Sequence, residues 1–383
     1  MLLRCSQSGV GNAVRAGSAQ HRLFATSVVL LKHGAVPSFT AVSSPELQDL
    51  LSTIREKLFL PAHLSDSQTL LIEREKYRRQ LETESNTATI AGEEFTLKPL
   101  PIRARPNAGK SLKHAISLMR EKKDWDNLPN LLQGVKIAAN ISNDKWNELL
   151  GIVVRKLGNA GRQDVLLECL RRGSDTGLTM STRDLATRIF LCFERKAADN
   201  DFNLQDTKKA LSWAEQAIVL MENPEHAGNT SLAGENDPRI SPEIIGVLLE
   251  LAAVRVSKHL GGKDEEKKVA DYTEKLLNTP VPFKPVPETD NGYVLHPWMW
   301  TYVPILHGMT LAQTLLEPGS KYANELKTRA TTLRDQVLDC KTRLQQWEAH
   351  QKASPKEPQG RTREERPLYG VTMFDKTIGA GSS

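Results

Sequence analysis

Cysteine is scarce in this 383-residue chain: four occur, at 5, 169, 192 and 340, with no paired spacing. That excludes a disulfide-stapled scaffold and a CxxC-type zinc site. Aromatic residues make up only 5%, which is low for an all-β protein and ordinary for a helical one. No apolar run approaches the roughly 18 residues of a membrane-spanning helix. Strongly apolar stretches are short, such as Val28-Val29-Leu30-Leu31. A net charge of +5 is too small for a histone-like binder of nucleic acid. Hydrophobic residues are 39% and charged residues 25%, enough for a packed core along most of a mainly α chain. The length fits two or three domains, or one extended stack of helices.

The distribution of charge is more informative than its sum. Residues 1–45 contain no Asp or Glu, and the first acid is Glu46. The same stretch carries Arg4, Arg15, Arg22 and Lys32 among many Ser, Ala and Gly. This is the composition of a mitochondrial transit peptide, because a cationic segment is drawn inward by the membrane potential. Arg22-Leu23-Phe24-Ala25-Thr26-Ser27 suits cleavage near Phe24, with a second position at about residue 32. Residues 1–24 are therefore expected to be an address, and the mitochondrial matrix the destination.

Helix signals follow. Ser44-Pro45-Glu46 combines a cap, a proline at the first helical position and an acid at the positive end. Ser65-Asp66-Ser67-Gln68 is a capping box. Together with a β-hairpin at Thr87–Leu97, these predict an N-terminal arm over 44–98 made of a helical hairpin and a β-hairpin. Pro99, Pro101 and Pro106 predict a linker over 99–108.

From 109 to 279 the spacing predicts helices at about 110–123, 125–140, 143–158, 161–172, 181–198, 206–222, 241–260 and 264–278. Short polar turns favour antiparallel pairs, an irregular stack of helical hairpins. Residues 280–300 are rich in Pro and aromatics and read as an extended strap, with helices to follow at about 297–316 and 320–351. Residues 352–383 have few apolar anchors and are expected to be an extended or disordered tail.

Catalytic chemistry is hard to place. Ala104 to Ser111 fits a relaxed phosphate-loop pattern, with Lys110 and Ser111 at its end. No apolar strand precedes it, and Pro106 removes an amide donor, so its context favours a basic linker. The nine histidines form no metal set. Cys169 and Cys192 lie among Leu and Phe and read as core thiols. No Ser-His-Asp or Cys-His arrangement can be named from spacing.

The clearest partner signal is basic. Lys98, Arg103, Arg105, Lys110, Lys113, Arg120, Lys122 and Lys123 stand against one acid, Glu121, within residues 95–123. Such a segment can neutralise several phosphates and release their counterions, reading RNA shape rather than sequence. Arg361, Arg363 and Arg366 repeat the theme, interrupted by Glu364 and Glu365.

Asp144–Leu150 opens one helical pair and Thr182–Ala186 the next, about 38 residues on, with Ala210, Trp213, Ala214 and Ala217 in its second helix. This resembles the tetratricopeptide and pentatricopeptide classes. With its address and basic extended segments, the whole pattern resembles fungal-type mitochondrial ribosomal proteins, the large subunit being favoured. The resemblance implies a structural role with no catalysis and no cofactor. Its partners would be ribosomal RNA and other mitochondrial ribosomal proteins, with no small-molecule substrate. A helical-repeat RNA-processing or translation factor, or a respiratory-complex assembly factor, would share the same architecture.

Overall fold

A serine cap starts the first helix, α1 (Pro45–Ile54). The Ser44 side chain accepts from the Leu47 amide, and Leu47, Leu51 and Ile54 form its buried stripe. In this computed structural model, residues 34–139, 141–228, 234, 237–353 and 369–379 are described. The predicted address at 1–24 and Arg361, Arg363 and Arg366 lie outside the described residues. After α1, a π-helical turn (Arg55–Phe59) leads into α2 (Leu60–His63), α3 (Asp66–Glu73) and α4 (Arg78–Thr83). The strands β1 (Thr87–Ile90) and β2 (Glu93–Thr96) come next. Then follow α5 (Ala108–Leu118), α6 (Lys122–Trp125), α7 (Leu128–Ala138), α8 (Asn143–Asn159), α9 (Gln163–Arg171) and α10 (Gly173–Thr176). The chain continues with α11 (Arg183–Ala198), α12 (Leu204–Leu220), α13 (Pro242–His259), α14 (Lys268–Asn278), α15 (Gly292–Leu315), α16 (Lys321–Ala353) and α17 (Tyr369–Thr377). The fold is mainly α, as the composition implies.

Contacts group His63–Pro99 as one compact unit, and Val36–Ala62 with the chain from Leu100 onward as another. In the smaller unit, the predicted capping box is present. Gln68 N donates to Ser65 Oγ at 3.3 Å, and Ser65 N to Gln68 Oε1 at 3.0 Å. β1 and β2 pair antiparallel, with Ile90 opposite Glu93. The two residues between them, Ala91 at φ 50° and Gly92 at φ 86°, adopt the left-handed conformation that a tight two-residue hairpin requires. The expected helical hairpin gives way here. α1 belongs to the larger unit and α3 to the smaller, because the Leu47, Leu51 and Ile54 stripe of α1 serves the larger core.

In the larger unit, successive long helices lie side by side. Cys192 Sγ donates to Val154 O at 3.7 Å and Arg195 Nη1 to Asn159 Oδ1 at 2.6 Å. Both pairs join α11 to α8 in the same direction. Arg183 on α11 meets Glu243 on α13 with Nη2···Oε1 at 2.6 Å. Along α13 and α15, Gly246 faces Ile305, and Gly308 lies against the Glu250 backbone. The absence of a side chain at 308 permits that approach: a Cβ there would stand 2.6 Å from Glu250 Cα. α13 is buried at every residue from Pro242 to Val254, as expected for a helix apolar nearly all round.

The strap at 280–287 is held down by aromatic side chains. Trp298 Nε1 donates to Lys284 O at 2.9 Å, Lys284 N donates to Tyr302 Oη at 2.7 Å, and Phe283 packs edge-on against Tyr302. Its helix starts earlier than the sequence suggests, at Gly292 instead of about 297, and runs through Pro297 and Pro304. Each proline forfeits an amide donor, and the burial of Leu295, Trp298, Met299 and Tyr302 offsets that loss.

The tail also departs from expectation. Tyr369–Thr377 is helical, and Met373, Phe374 and Ile378 are buried. A short apolar stripe docked on α15 thus replaces an extended end. Gly370 meets the Trp300 amide, where a Cβ would stand at 3.0 Å.

Candidate nucleic-acid interface

The basic segment is built on α5. Asn107 caps this helix, its Oδ1 accepting from Lys110 N at 2.9 Å. Ser111, Leu112, Ala115 and Ile116 face the core, while Lys110 just before them and Lys113 among them face solvent. No strand precedes this helix start; a 3-10 turn at Ile102–Ala104 does. Ser111 is buried, so the Lys110-Ser111 pair is a capped helix start without a phosphate cradle.

Upstream, Arg103 is exposed on the 3-10 turn and Arg105 is half-buried. Downstream, Arg120, Lys122 and Lys123 are exposed. Eleven residues of α5 at about 1.5 Å each separate these two groups by roughly 16 Å. The charges therefore form a strip along one helix rather than a point. Lys98 is also exposed, but it belongs to the smaller unit.

The downstream turn is fixed by a residue that the charge pattern did not single out. Asp124 is fully buried. Its Oδ2 accepts from Arg120 N and Glu121 N, both at 2.9 Å, and from Ser43 Oγ at 2.7 Å. Its Oδ1 accepts from Ser43 N at 2.7 Å. Burial alone would raise the Asp124 pKa, but the hydrogen bonds from Ser43, Arg120 and Glu121 outweigh it and hold the carboxyl below its ordinary value. With its backbone amides turned inward to Asp124, the turn presents the Arg120, Lys122 and Lys123 side chains outward. Arg162 secures the same turn from the other side, donating to Lys122 O at 2.5 Å and Asp126 Oδ1 at 2.6 Å. The sequence signal was an acid inside a basic run, Lys122-Lys123-Asp124.

Most of these cations lack an internal partner. Lys123 lies 3.4 Å from Glu121 with both side chains exposed, a pairing worth little in water. Among the described residues, Arg103, Lys110, Lys113, Arg120 and Lys122 make no ion pair. That is the state expected of side chains kept for an anionic partner.

Elsewhere the titratable groups are sealed in packing. Burial pushes the Cys169 and Cys192 thiols up to about 12, too high for a thiolate nucleophile. His307 Nδ1 is 2.7 Å from Glu250 Oε1 inside the core. One cleft of about 320 Å³ is lined by Pro242, Leu276, Thr279–Phe283 and Arg329. It offers no acid–base pair, and Arg329 already donates to Leu276 O, Leu277 O and Glu325. No group of His, Cys, Asp or Glu among the described residues could hold a metal ion. None of the described helices is long and apolar enough to cross a membrane.

The described residues form a helical body with a cationic strip, and comparison with known proteins supplies its class. A family model described as mitochondrial ribosomal protein mS27 matches residues 22–365, and the chain belongs to that family. A relative in Neurospora crassa, named small ribosomal subunit protein mS27, is 27% identical over 291 residues, covering 72% of this chain and 73% of the relative. The protein is thus a mitochondrial ribosomal protein of fungal type, a structural component of a ribonucleoprotein and not an enzyme. The expectation of the large subunit is corrected by the relative, which carries a small-subunit name. Composition and helix spacing contain no mark of either subunit.

Proposed function

We propose that the protein is a fixed structural component of the mitochondrial small ribosomal subunit, working in the matrix. It holds ribosomal RNA by phosphate contacts along Arg103, Arg105, Lys110, Lys113, Arg120, Lys122 and Lys123 of the larger unit, and Lys98 makes a separate phosphate contact from the smaller unit. Its helical body packs against neighbouring ribosomal proteins. The observation that carries this reading is the family match over residues 22–365, and Arg103, Lys110, Lys113, Arg120 and Lys122, exposed and without an ion pair among the described residues, supply the physical means. Residues 1–24 act as the import address. The same-direction contacts of α8 with α11, at sequence offsets of 38 and 36, support a repeat built from helical hairpins.

Sedimentation of mitochondrial lysate at moderately high salt tests the proposal. The wild-type chain is expected in the small-subunit peak. Reversal of Arg103, Lys110 and Lys113 to Glu should release it while its helix content stays unchanged, because all three are exposed. A wild-type chain that leaves the peak as salt rises would instead be a transient factor. Cosedimentation of the reversed chain would discard the strip as a contact. N-terminal sequencing of the mature protein tests the address, and an intact Met1 would refute it.

A further inference from the structure

The strip on α5 does not end at that helix. Gly109 faces Leu149 of α8, with 3.5 Å between the position of a Cβ on Gly109 and Leu149 Cδ1. Lys113 is one turn beyond Gly109 on the same flank. On α8, Lys145 lies one turn before Leu149 and Lys156 two turns beyond it, so both ride the same stripe. Across α8, Gly151 faces α11, and the Arg188 guanidinium lies over it. Nη1 is 3.3 Å from where a Cβ would stand. Arg155, one turn beyond Gly151, shares that flank. Lys145, Arg155, Lys156 and Arg188 are all exposed, and none of the four makes an ion pair with the described residues. The acids near them are Asp144 and Glu148, at the N-terminal end of α8, and Asp184, one turn before Arg188 and already paired with Lys284 at 2.6 Å.

We infer that α5, α8 and α11 present one cationic face, with Lys145, Arg155, Lys156 and Arg188 extending the Lys110–Lys113 strip across neighbouring helices. The partner this face fits is the phosphate backbone of a folded RNA. Neighbouring helices stand about 8–10 Å apart, so the charges form rows that a backbone can cross. Protein interfaces draw their energy from buried aromatic and apolar anchors, whereas here the stripe offers only the half-buried Ile152. A face of charges without anchors gains its affinity from counterion release. The inference rests on the ribosomal reading above and adds a second contact region to it.

The test uses the purified full chain, a fluorescein-labelled RNA stem-loop and a polyglutamate peptide as probes. Binding is read by fluorescence polarisation across a salt series of about 50–200 mM. The variant carries K145Q, R155Q, K156Q and R188Q. Glutamine keeps helix propensity, and far-UV circular dichroism checks the fold. If the helix signal falls, the four single substitutions replace the quadruple. The expected result is a slope of log K against log salt shallower by about 3, near 0.7–0.9 for each lost phosphate contact. RNA affinity at the lowest salt should fall at least about tenfold. An unchanged slope would overturn the face. Equal binding of polyglutamate, lost in the same variant, would overturn the RNA assignment in favour of an acidic protein. Because Arg103, Lys110 and Lys113 are untouched in this variant, the two readings fail separately. An unaltered salt slope sinks the face while membership in the subunit stands, and a wild-type chain absent from the small-subunit peak sinks the membership.

Discussion

Ser43 and Asp124, 81 residues apart, are joined by two hydrogen bonds of 2.7 Å: the serine amide donates to Oδ1 and its hydroxyl to Oδ2. This contact fastens the extended chain before α1 to the turn that displays Arg120, Lys122 and Lys123. Asn127 reinforces it, its Oδ1 accepting from Thr40 N at 2.7 Å. One buried carboxylate therefore organises both a long-range closure and part of the cationic strip.

Asp124→Asn should cost about 2–4 kcal/mol at neutral pH, since an amide cannot accept from four donors and a charge-assisted bond is worth roughly 1.5–3 kcal/mol. The sign with pH follows from the lowered carboxyl pKa. The wild-type advantage is present above the unfolded value of about 3.9 and is lost as pH falls through the lower folded value. Urea titrations at pH 7 and at about pH 3 measure the difference, and it should narrow in acid. An equal gap at both would remove Asp124 ionisation as the cause.

Glu194 and Glu250 are both fully buried, and neither Glu194 oxygen has a hydrogen-bond partner among the described residues. Burial raises both carboxyls well above their ordinary value, and the nearby Glu250 adds to the effect on Glu194. Burial lowers His307 to about 4, and its Nδ1 shares a 2.7 Å hydrogen bond with Glu250 Oε1. Raised carboxyls contribute stability that is present below the unfolded pKa and lost as pH rises through the folded one. Glu194→Gln, which carries no charge to bury, should flatten the alkaline decline and raise stability by about 1–3 kcal/mol at pH 8. Thermal melts from pH 6 to pH 9 check this, and a decline as steep as wild type would refute it.

Much of the helical content was legible because local chemistry and tertiary packing agree. The Ser44-Pro45 start, the Ser65–Gln68 box and the spacing of α8, α11, α12 and α13 could all be read from neighbouring residues. What escaped depends on distant partners. Pro297 reads locally as a helix start, yet the helix begins at Gly292 and runs through it, and Tyr302 donates to Glu243 Oε1 at 2.6 Å and fixes that helix against α13. Residues 369–377 look too short and polar to order themselves until α15 supplies a floor for Met373 and Phe374. The charges of Arg103 to Lys123 stood out as a run. Arg155 and Arg188 did not, because only packing brings them together.

Gly308 tests the closeness of α13 and α15. A Cβ added there would stand 2.6 Å from both Glu250 Cα and N, and backbone cannot rotate aside as a side chain can. Gly308→Ala should therefore destabilise by about 1–3 kcal/mol or more through overpacking. Gly246→Ala meets only the Ile305 side chain, at 2.7 Å, and should cost less. Thermal denaturation of the two variants side by side gives the order, and a milder effect at 308 would contradict the tight crossing.

The docking of α17 makes a sharper demand on sequence than its length suggests. Phe374 is 5% exposed and lies under Lys341, whose Nζ is 4.7 Å from the ring centroid. Lys341 also pairs with Asp375 at 2.5 Å. At the other end of the helix, Arg195 sits 5.2 Å from the Tyr369 ring and 5.9 Å from Trp300. A cation shared by two aromatic faces is worth about 0.5–2 kcal/mol, whereas loss of a buried phenylalanine costs about 3–5 kcal/mol. Packing should therefore dominate. Phe374→Ala is expected to undock α17 and expose the chain near Tyr369 to protease, with the core of α13 and α15 still folded. Arg195→Gln should leave it docked and only modestly more sensitive. Limited proteolysis followed by mass spectrometry separates the two, and earlier cleavage in Arg195→Gln than in Phe374→Ala would show that the cation, not the ring, holds the helix.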